Sequence, residues 1–268
     1  MTKAERFRAL HTGPILRLAN CWDAASAAVI ASAGAPAVAT TSAGVAWSLG
    51  LPDGDALDRE TAVAAIARVV RAVDVPVSAD IESGYGATPN DVADTLRAVA
   101  AAGAVGVNIE DSVAEAPGSL RTPAEQAERL AAAREGAGPD LFINARTDLY
   151  LAAIGDPETR LDATIARAAA YAEAGADGIF VPGLTDPEAI ATLATAIRLP
   201  LNVMAGPGAP APSELERLGV ARVSLGPGIA AVAYAAAQRA TAALLEGDSY
   251  DAVEGGLDYG TMQGLLTR

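Results

Sequence analysis

The chain has 268 residues, of which 19 are lysine or arginine and 33 are aspartate or glutamate, so its formal net charge is −14. This charge repels nucleic-acid backbones and anionic membranes, and the sequence contains no basic patch to offset it. Apolar residues make up 51% of the chain and charged residues 19%, which excludes a disordered chain and allows a sizeable core. We therefore expect a folded protein without nucleic-acid or membrane partners.

Three features predict a cytoplasmic location. Cys21 is the single cysteine, which excludes an internal disulfide and suits a reducing compartment. The first residues, MTKAERFRALHTG, carry charges throughout and lack the apolar stretch of a signal peptide. No apolar run approaches the roughly 20 residues that a bilayer-spanning helix requires.

Short β-branched runs alternate with longer segments of helical period from one end of the chain to the other. The predicted strands are 15–18, 38–41, 75–79, 105–109, 141–145, 178–181, 201–204 and 222–225. The predicted helices are 24–33, 59–73, 89–102, 123–135, 158–174, 187–197, 212–218 and 229–246. Capping residues directly before Pro89, Pro123 and Pro187 mark three of the helix starts.

Eight such units in about 250 residues, with no Gly/Ser linker, predict a closed (β/α)8 barrel, the TIM barrel, as a single domain over residues 1–268. An open sheet of parallel strands is the alternative, because periodicity does not show closure. Residues 248–268 lie beyond the eighth predicted helix as a C-terminal helical extension. Its apolar segment 262–266 is a candidate for packing on a neighbouring subunit.

Polar side chains gather where three neighbouring strands end. Residues two apart in an extended chain share one face, and the carboxyl ends of barrel strands form the functional face. The third, fourth and fifth predicted strands therefore direct acids, amides and one arginine to a common place, with the pairs Asp80 and Glu82, Asn108 and Glu110, and Asn144 and Arg146.

Carboxylates brought this close normally require a cation, because an isolated buried carboxylate is costly. Oxygen ligands favour a hard ion, so Asp80, Glu82 and Glu110 are candidate ligands of Mg²⁺, or of Mn²⁺ in its place. Zinc is disfavoured because the single histidine, His11, is distant in sequence and is expected on the surface. The alternative is a structural network in which these acids pair with nearby basic side chains.

The sequence resembles the isocitrate lyase and phosphoenolpyruvate mutase superfamily, with methylisocitrate lyase-like features. Six segments carry this resemblance in the order of the family and extend over nearly the whole predicted barrel. They are TSAG at 41–44, SLGLPD at 48–53, ADIESGYG at 79–86, NIED at 108–111, NARTD at 144–148 and AGADGIF at 174–180.

The resemblance implies a Mg²⁺ site around Asp80, with Glu82 and Glu110 acting directly or through water, although the family commonly has aspartate in place of Glu82. It implies that the substrate is a small carboxylate and that the protein is a homotetramer or dimer with exchanged C-terminal helices. Arg146 would bind a carboxylate or stabilise developing charge, and Asp53 would border the site. The implied substrate-binding residues are Ser42, Ala43, Gly44, Asn108 and Trp47, the last being equally compatible with a core position.

The chain departs from the family at the residues that determine which reaction is catalysed. Lyases of the family carry a catalytic cysteine in the gating loop that follows Asp111, and mutases carry an asparagine there. This chain reads SVAEAPGSLR at 112–121, which leaves Ser119 as a candidate catalytic residue and Arg121 as a candidate substrate contact. After the sixth strand it reads VPGL at 181–184, without the glutamate of the lyases or the histidine of the mutases.

We therefore expect a Mg²⁺-dependent lyase that cleaves a carbon–carbon bond in a small 2-oxo or 2-hydroxy carboxylate through a metal-stabilised enolate. One alternative is a phosphoenolpyruvate/phosphonopyruvate mutase or an oxaloacetate-type hydrolase. Another is a non-catalytic protein that binds a metal and a dicarboxylate. The loops GPG at 206–208 and 226–228 are candidate phosphate contacts, or simple turns.

Overall fold

Eight parallel strands form a closed barrel in a computed structural model of the chain, which describes residues 1–114, 116, 118–247 and 249–267. Each strand pairs with the next, and β8 pairs with β1. The predicted TIM barrel is confirmed and the open sheet is excluded. The strands are β1 Leu16–Cys21, β2 Val38–Thr40, β3 Val77–Asp80, β4 Gly106–Glu110, β5 Phe142–Arg146, β6 Gly178–Val181, β7 Leu201–Met204 and β8 Arg222–Ser224.

Helices surround the barrel, and three of their starts follow from capping chemistry. The side chains of Thr88, Thr122 and Asp186 each accept a hydrogen bond from a backbone N–H in the first helical turn, and each is followed by proline. The helices are α1 Lys3–Ala9, α2 Ala24–Ser32, α3 Ser42–Ser48, α4 Arg59–Ala72, α5 Pro89–Ala101, α6 Pro123–Ala137, α7 Arg160–Glu173, α8 Pro187–Ala196, α9 Pro212–Arg217, α10 Gly228–Glu246 and α11 Tyr259–Leu266, with a short 3-10 helix at Asp251–Val253.

Two helices were absent from the sequence-based prediction. Helix α1 precedes the first strand and begins with a capping box between Thr2 and Glu5. Helix α3 follows β2 directly, so residues 42–48 are helical rather than part of a loop. Both helices are short, and their positions depend on contacts with the barrel more than on local sequence.

The expected surface position of His11 is wrong, because α1 closes the amino-terminal end of the barrel and carries this residue inside. His11 is 6% exposed, and its ring stacks on Phe142 with 4.2 Å between ring centroids. Its Nδ1 donates a hydrogen bond to the Phe7 carbonyl over 2.9 Å. Burial, together with the charge of Arg222, lowers the pKa of His11 to about 4.

The C-terminal part of the chain leaves much of its apolar surface exposed. Helix α10 is the one described helix that is long and apolar enough to cross a membrane, and 6% of that stretch is buried. Its residues Val232, Leu244 and Leu245 are exposed, whereas α11 packs against α2. Residues 248 and 268 of the predicted extension lie outside the described residues.

We expect acid to destabilise the protein through His11. The folded-state pKa of about 4 lies below the usual value of about 6.5, so the unfolded chain takes up the proton first as pH falls. His11 therefore makes its full contribution to the free energy of unfolding above pH 6.5. About 3 kcal/mol of that free energy is lost between pH 6.5 and pH 4.

Urea unfolding of wild type and His11→Gln across this pH range measures the effect. The free-energy difference between the two proteins should change in favour of the variant as pH falls. A difference that is constant from pH 6.5 to pH 4 would show that His11 does not stay neutral in the folded state.

Candidate active site

A cavity of about 170 Å³ lies at the carboxyl ends of the barrel strands. In a TIM barrel this face holds the active site, because the loops that follow the strands converge there. Eight of the fourteen lining residues are polar or charged, and Phe180, Met204 and Leu151 contribute apolar surface. The remaining lining residues are Asn20, Thr41, Ser42, Ala43, Asp53, Asp80, Asn108, Arg146, Ser224, Gly226 and Pro227.

Asp80 ends β3 and presents one satisfied and one free carboxylate oxygen. Its Oδ2 accepts hydrogen bonds from the Ser42 hydroxyl over 2.9 Å and from the Ser42 backbone N–H over 3.2 Å. Its Oδ1 is buried and has no hydrogen-bond partner among the described residues. Because a buried carboxylate oxygen normally has a partner, Oδ1 is available to a cation or to a donor from a ligand.

Arg146 ends β5 between two carboxylates. Its Nε and Nη2 donate to Asp148 over 2.6 and 2.8 Å, and its Nη1 lies 2.8 Å from Oε2 of Glu110. Burial opposes the charge of Arg146, but Glu110 and Asp148 more than offset it and raise its pKa. One N–H on each of Nη1 and Nη2 is left for a ligand in the cavity.

Glu110 is held by basic and hydroxyl partners. It forms the ion pair with Arg146 and accepts a hydrogen bond from the Ser112 hydroxyl. Burial raises its pKa, and the charge of Arg146 opposes that rise. Glu110 does not line the cavity. Its contacts fit the alternative interpretation, in which the acids pair with nearby basic side chains in a structural network.

Glu82 connects the loop after β3 to the segment that follows α3. Its Oε2 accepts hydrogen bonds from the backbone N–H groups of Gly54, over 3.0 Å, and Asp55, while Oε1 accepts one from the Tyr85 hydroxyl over 3.2 Å. Burial, opposed by the Asp55 N–H, raises the pKa of Glu82 to about 7. Glu82, Asp55 and Tyr85 all have positive φ angles, near +50°, so this contact stabilises strained backbone.

Asp53 lies in the same cavity as Asp80. Burial and the charge of Asp80 raise its pKa, and hydrogen bonding from Ser42 and Gly54 opposes the rise. The hydrogen bonds from Gly54 and Asp55 to Glu82 hold the segment that carries Asp53. The two acids that line the cavity are therefore Asp53 and Asp80.

A family model for phosphoenolpyruvate phosphomutase matches residues 7–245 of the chain. The chain belongs to the phosphoenolpyruvate phosphomutase family. Among related sequences, the uncharacterised protein Rv1998c of Mycobacterium tuberculosis (strain ATCC 25618 / H37Rv) is 40% identical over 216 residues, which are 81% of this chain and 79% of that protein. The 2-methylisocitrate lyase of Escherichia coli (strain K12) is 34% identical over 194 residues, which are 69% of this chain and 64% of that lyase.

Solved structures share the architecture of this family member. A lyase/mutase candidate from Burkholderia cenocepacia J2315 is 40% identical with a TM-score of 0.90, covering 98% of this chain and 94% of that chain. Phosphonopyruvate hydrolase in complex with oxalate and Mg²⁺ is 23% identical with a TM-score of 0.87, covering 99% of this chain and 95% of that chain. At this identity the second likeness concerns the fold. The phosphomutase family model and relatives named 2-methylisocitrate lyase and oxaloacetate decarboxylase support an enzymatic activity.

The structure brings some of the predicted site residues of this phosphomutase-family protein together and separates others. Ser42, Ala43, Asp53, Asp80, Asn108 and Arg146 line one cavity. Gly44 instead packs inside α3, where an added Cβ would lie 2.7 Å from Cβ of Trp22. Trp47 is 39% exposed and contacts Tyr234 edge to face, outside the cavity lining.

The candidate residues of the gating loop lie away from the cavity. Arg121 donates to the Ser112 carbonyl, and Ser119 is exposed. Neither lines the cavity, and residues 115 and 117 of this loop lie outside the described residues. The roles of Ser119 and Arg121 therefore stay predictions.

Three polar lining residues, Asn20, Thr41 and Ser224, were missed by the sequence-based prediction. Asn20 donates to the Thr40 carbonyl over 3.3 Å and accepts from the Leu225 N–H over 2.9 Å, which ties β1 to its neighbours. It was missed because the first strand was predicted to end at residue 18, whereas β1 continues to Cys21. Ser224 lay inside a predicted strand, and its position next to a GPG turn was the available signal.

The three predicted metal ligands are not gathered into one set. Across the described ranges, no group of three or more His, Cys, Asp and Glu side chains is placed to hold a metal ion. Glu82 is directed to the 54–55 amides and Glu110 to Arg146, which leaves Asp80 as the acid with a free buried oxygen. A site with one or two carboxylates fits a hard cation such as Mg²⁺, which keeps several waters as its other ligands.

We expect the length of the Glu82 side chain to matter. Glu82→Asp would withdraw the carboxylate from the buried N–H groups of Gly54 and Asp55, and unpaired buried donors cost about 1–3 kcal/mol. Glu82→Gln keeps an amide oxygen at the same reach and is the matched control. Hydrogen exchange monitored by NMR should show loss of protection at Gly54 and Asp55 in Glu82→Asp alone. Equal protection in both variants would contradict the role of this contact.

Proposed function

We propose that the protein is a Mg²⁺-dependent lyase that cleaves a carbon–carbon bond in a small 2-oxo or 2-hydroxy carboxylate. The observation that carries this proposal is the placement of the free Oδ1 of Asp80 and the remaining N–H groups of Arg146 around one cavity. The first group suits a cation and the second a carboxylate, which are the two recognition elements that an oxo acid requires.

The lining residues divide between holding the cation and holding the substrate. Asp80 would hold the Mg²⁺ directly, with Mn²⁺ as a substitute, and Glu82 and Glu110 would act through water. When bound, the cation would supply the positive charge that stabilises an enolate. Ser42, Ala43, Asn108 and Arg146 bind the carboxylate, and Arg146 also stabilises charge that develops on it.

Asp53 is the proposed proton-transfer residue in the cavity. Its pKa is raised by burial and by Asp80, which brings it closer to the value that suits a general acid or base near neutral pH. Ser119 remains the proposed second catalytic group, reaching the substrate from the loop 112–121 on closure. The lyase named above supports carbon–carbon cleavage as the reaction type.

The size of the cavity supports a small substrate. Its volume of about 170 Å³ is below the roughly 300–1,000 Å³ of pockets for drug-sized ligands. The apolar surface of Phe180 and Met204 would contact the carbon skeleton of the acid. An acid of the size of oxaloacetate therefore suits this cavity better than a tricarboxylate.

A second candidate is a mutase or oxo-acid hydrolase acting on a related enolate. The observation that favours it is the absence of any thiol from the loop 112–121, since a lyase must protonate its leaving group. Both candidates use the same cation and carboxylate sites. The nature of the second product distinguishes them.

The test is to incubate the purified protein and Mg²⁺ with methylisocitrate, oxaloacetate and phosphonopyruvate. Pyruvate indicates a lyase, whether it forms with CO2 from oxaloacetate or with succinate from methylisocitrate. Oxalate with acetate from oxaloacetate indicates a hydrolase, and phosphoenolpyruvate from phosphonopyruvate a mutase. Asp80→Ala should lower turnover at least about 100-fold, because it removes the free oxygen of the site. Asp94→Ala, an exposed change on α5, is the control.

Full turnover by Asp80→Ala would refute the metal assignment. Tight oxalate binding by wild type with no turnover of any acid would instead favour a non-catalytic binding protein.

We also propose that the enzyme is a cytoplasmic homotetramer or dimer in which the C-terminal region, α10 together with the extension that follows it, packs on a neighbouring subunit by exchange of helices. The support is the exposed apolar surface of α10, where Leu244 is 59% and Leu245 79% exposed. Light scattering should give the mass of an oligomer, and a Leu244→Glu/Leu245→Glu variant should shift it toward a smaller species. Arg97→Glu, on the exposed face of α5, should leave the mass unchanged. A monomeric wild type would end this proposal.

A further inference from the structure

The barrel interior beneath the cavity contains polar side chains where a TIM barrel usually packs branched apolar ones. Asn108, Asn144, Asn202 and Arg222 project from β4, β5, β7 and β8, and each is at most 4% exposed. Of these, only Asn108 lines the cavity. The other three form a layer below it.

The hydrogen bonds of this layer lead from one amide to the next. Asn202 donates through Nδ2 to the Arg222 carbonyl over 3.1 Å, and its Oδ1 accepts from Asn144 Nδ2 over 3.1 Å. Asn144 Nδ2 donates in turn to Oδ1 of Asn108 over 2.9 Å. Arg222 Nη2 reaches the same Oδ1 over 3.2 Å.

Two donors, the guanidinium of Arg222 and Nδ2 of Asn144, decide which way the Asn108 amide faces. An amide flip exchanges oxygen and nitrogen, and a crowded site often accepts either orientation. Arginine, however, only donates hydrogen bonds, so the atom of Asn108 that faces Arg222 must be the oxygen. The Asn108 Nδ2 is therefore directed away from this layer, and within the described chain it donates to no protein atom.

Arg222 also carries a buried positive charge that no ion pair among the described residues neutralises. It is 1% exposed, its Nε and Nη1 have no hydrogen-bond partner among the described residues, and none of the ion pairs of the described chain includes it. Burial lowers the pKa of Arg222 to about 9, and the charge of Asp80 opposes this effect. A buried cation normally has an anionic partner, and Asp80 acts on Arg222 without forming an ion pair with it among the described residues. Asp80 lines the cavity that an anionic ligand would enter.

We propose that Arg222 is a positioning residue of the active site. Together with Asn144, it holds Oδ1 of Asn108 and thereby directs the Asn108 Nδ2 into the cavity, where it donates a hydrogen bond to a carboxylate oxygen of the substrate. Its positive charge favours an anion at the same place. The proposal rests on the proposed function only in taking the ligand to be a small anionic acid.

A double-mutant cycle on Arg222→Met and Asn108→Ala tests the proposal, with oxalate and Mg²⁺ as the probe and calorimetry as the readout. Arg222→Met should weaken oxalate binding about tenfold, because one of the two donors that hold Oδ1 of Asn108 is lost and the amide no longer keeps its charge-assisted hydrogen bond to oxalate in a fixed orientation. The double variant should bind no more weakly than Asn108→Ala alone. Arg97→Met, an exposed arginine on α5, is the control and should match wild type.

Asn108→Asp separates positioning from folding. The new carboxylate keeps the shape of the side chain and pairs with Arg222, so the thermal unfolding temperature should rise or stay the same. Oxalate binding should nevertheless fall at least tenfold, because the Nδ2 donor is gone. Arg222→Lys keeps the charge, so it serves as the second variant if Arg222→Met does not fold, and its binding should lie between wild type and Asn108→Ala.

Oxalate binding by Arg222→Met within twofold of wild type, or a double variant whose loss is the product of the two single losses, would overturn the proposal. If wild type itself fails to bind oxalate, the proposed function fails first, and NMR decides the remaining question. The side-chain amide signals of Asn108, identified by their absence in Asn108→Ala, should shift and broaden in Arg222→Met. Unchanged signals would overturn the positioning role whatever the ligand is.

Discussion

The ion pairs of Arg146 are the interaction on which the site depends. A guanidinium buried at the end of β5 is costly alone, and Glu110 and Asp148 compensate it from two sides. The same contacts fix its orientation and leave one N–H on each terminal nitrogen for a ligand. The main role of Glu110 is consequently to neutralise the charge of Arg146. In the proposed site it would bind a cation only through water. Of the three predicted metal ligands, Asp80 is the one with a buried oxygen, Oδ1, that has no hydrogen-bond partner among the described residues.

The contact between Glu82 and the backbone amides of residues 54–55 is a second constraint, and it determines the shape of the side of the cavity that carries Asp53. Glu82 joins two segments that are distant in sequence, and three residues with left-handed backbone meet at this contact. Strained residues persist only where surrounding interactions over-determine them, and such places cluster at functional sites. The longer side chain of glutamate reaches the 54–55 amides, which places Asp53 opposite Asp80. The departure from the aspartate that the family commonly has is thus linked to the shape of the cavity.

Local sequence was sufficient for most of the fold and for part of the site. Capped prolines located the helix starts, and the carboxyl ends of β3, β4 and β5 correctly indicated where Asp80, Asn108 and Arg146 meet. The directions of Glu82 and Glu110 depend on partners remote in sequence, so no pattern within their own strands could give them. His11 was misplaced for a similar reason, because only the docking of α1 on the barrel makes that end of the chain interior. Asn20 was lost through a strand boundary set three residues early.

The polar layer beneath the cavity explains why the barrel tolerates side chains that reduce its stability. Asn144, Asn202 and Arg222 occupy space that branched apolar residues would fill at lower cost, and Arg222 has two buried nitrogen atoms without a hydrogen-bond partner among the described residues. An apolar layer would stabilise the barrel more but would leave the Asn108 amide free to take either orientation. A connected chain of donors and acceptors removes that freedom. The polar layer therefore lowers the stability of the barrel. In return it fixes the orientation of the Asn108 Nδ2 donor at the site.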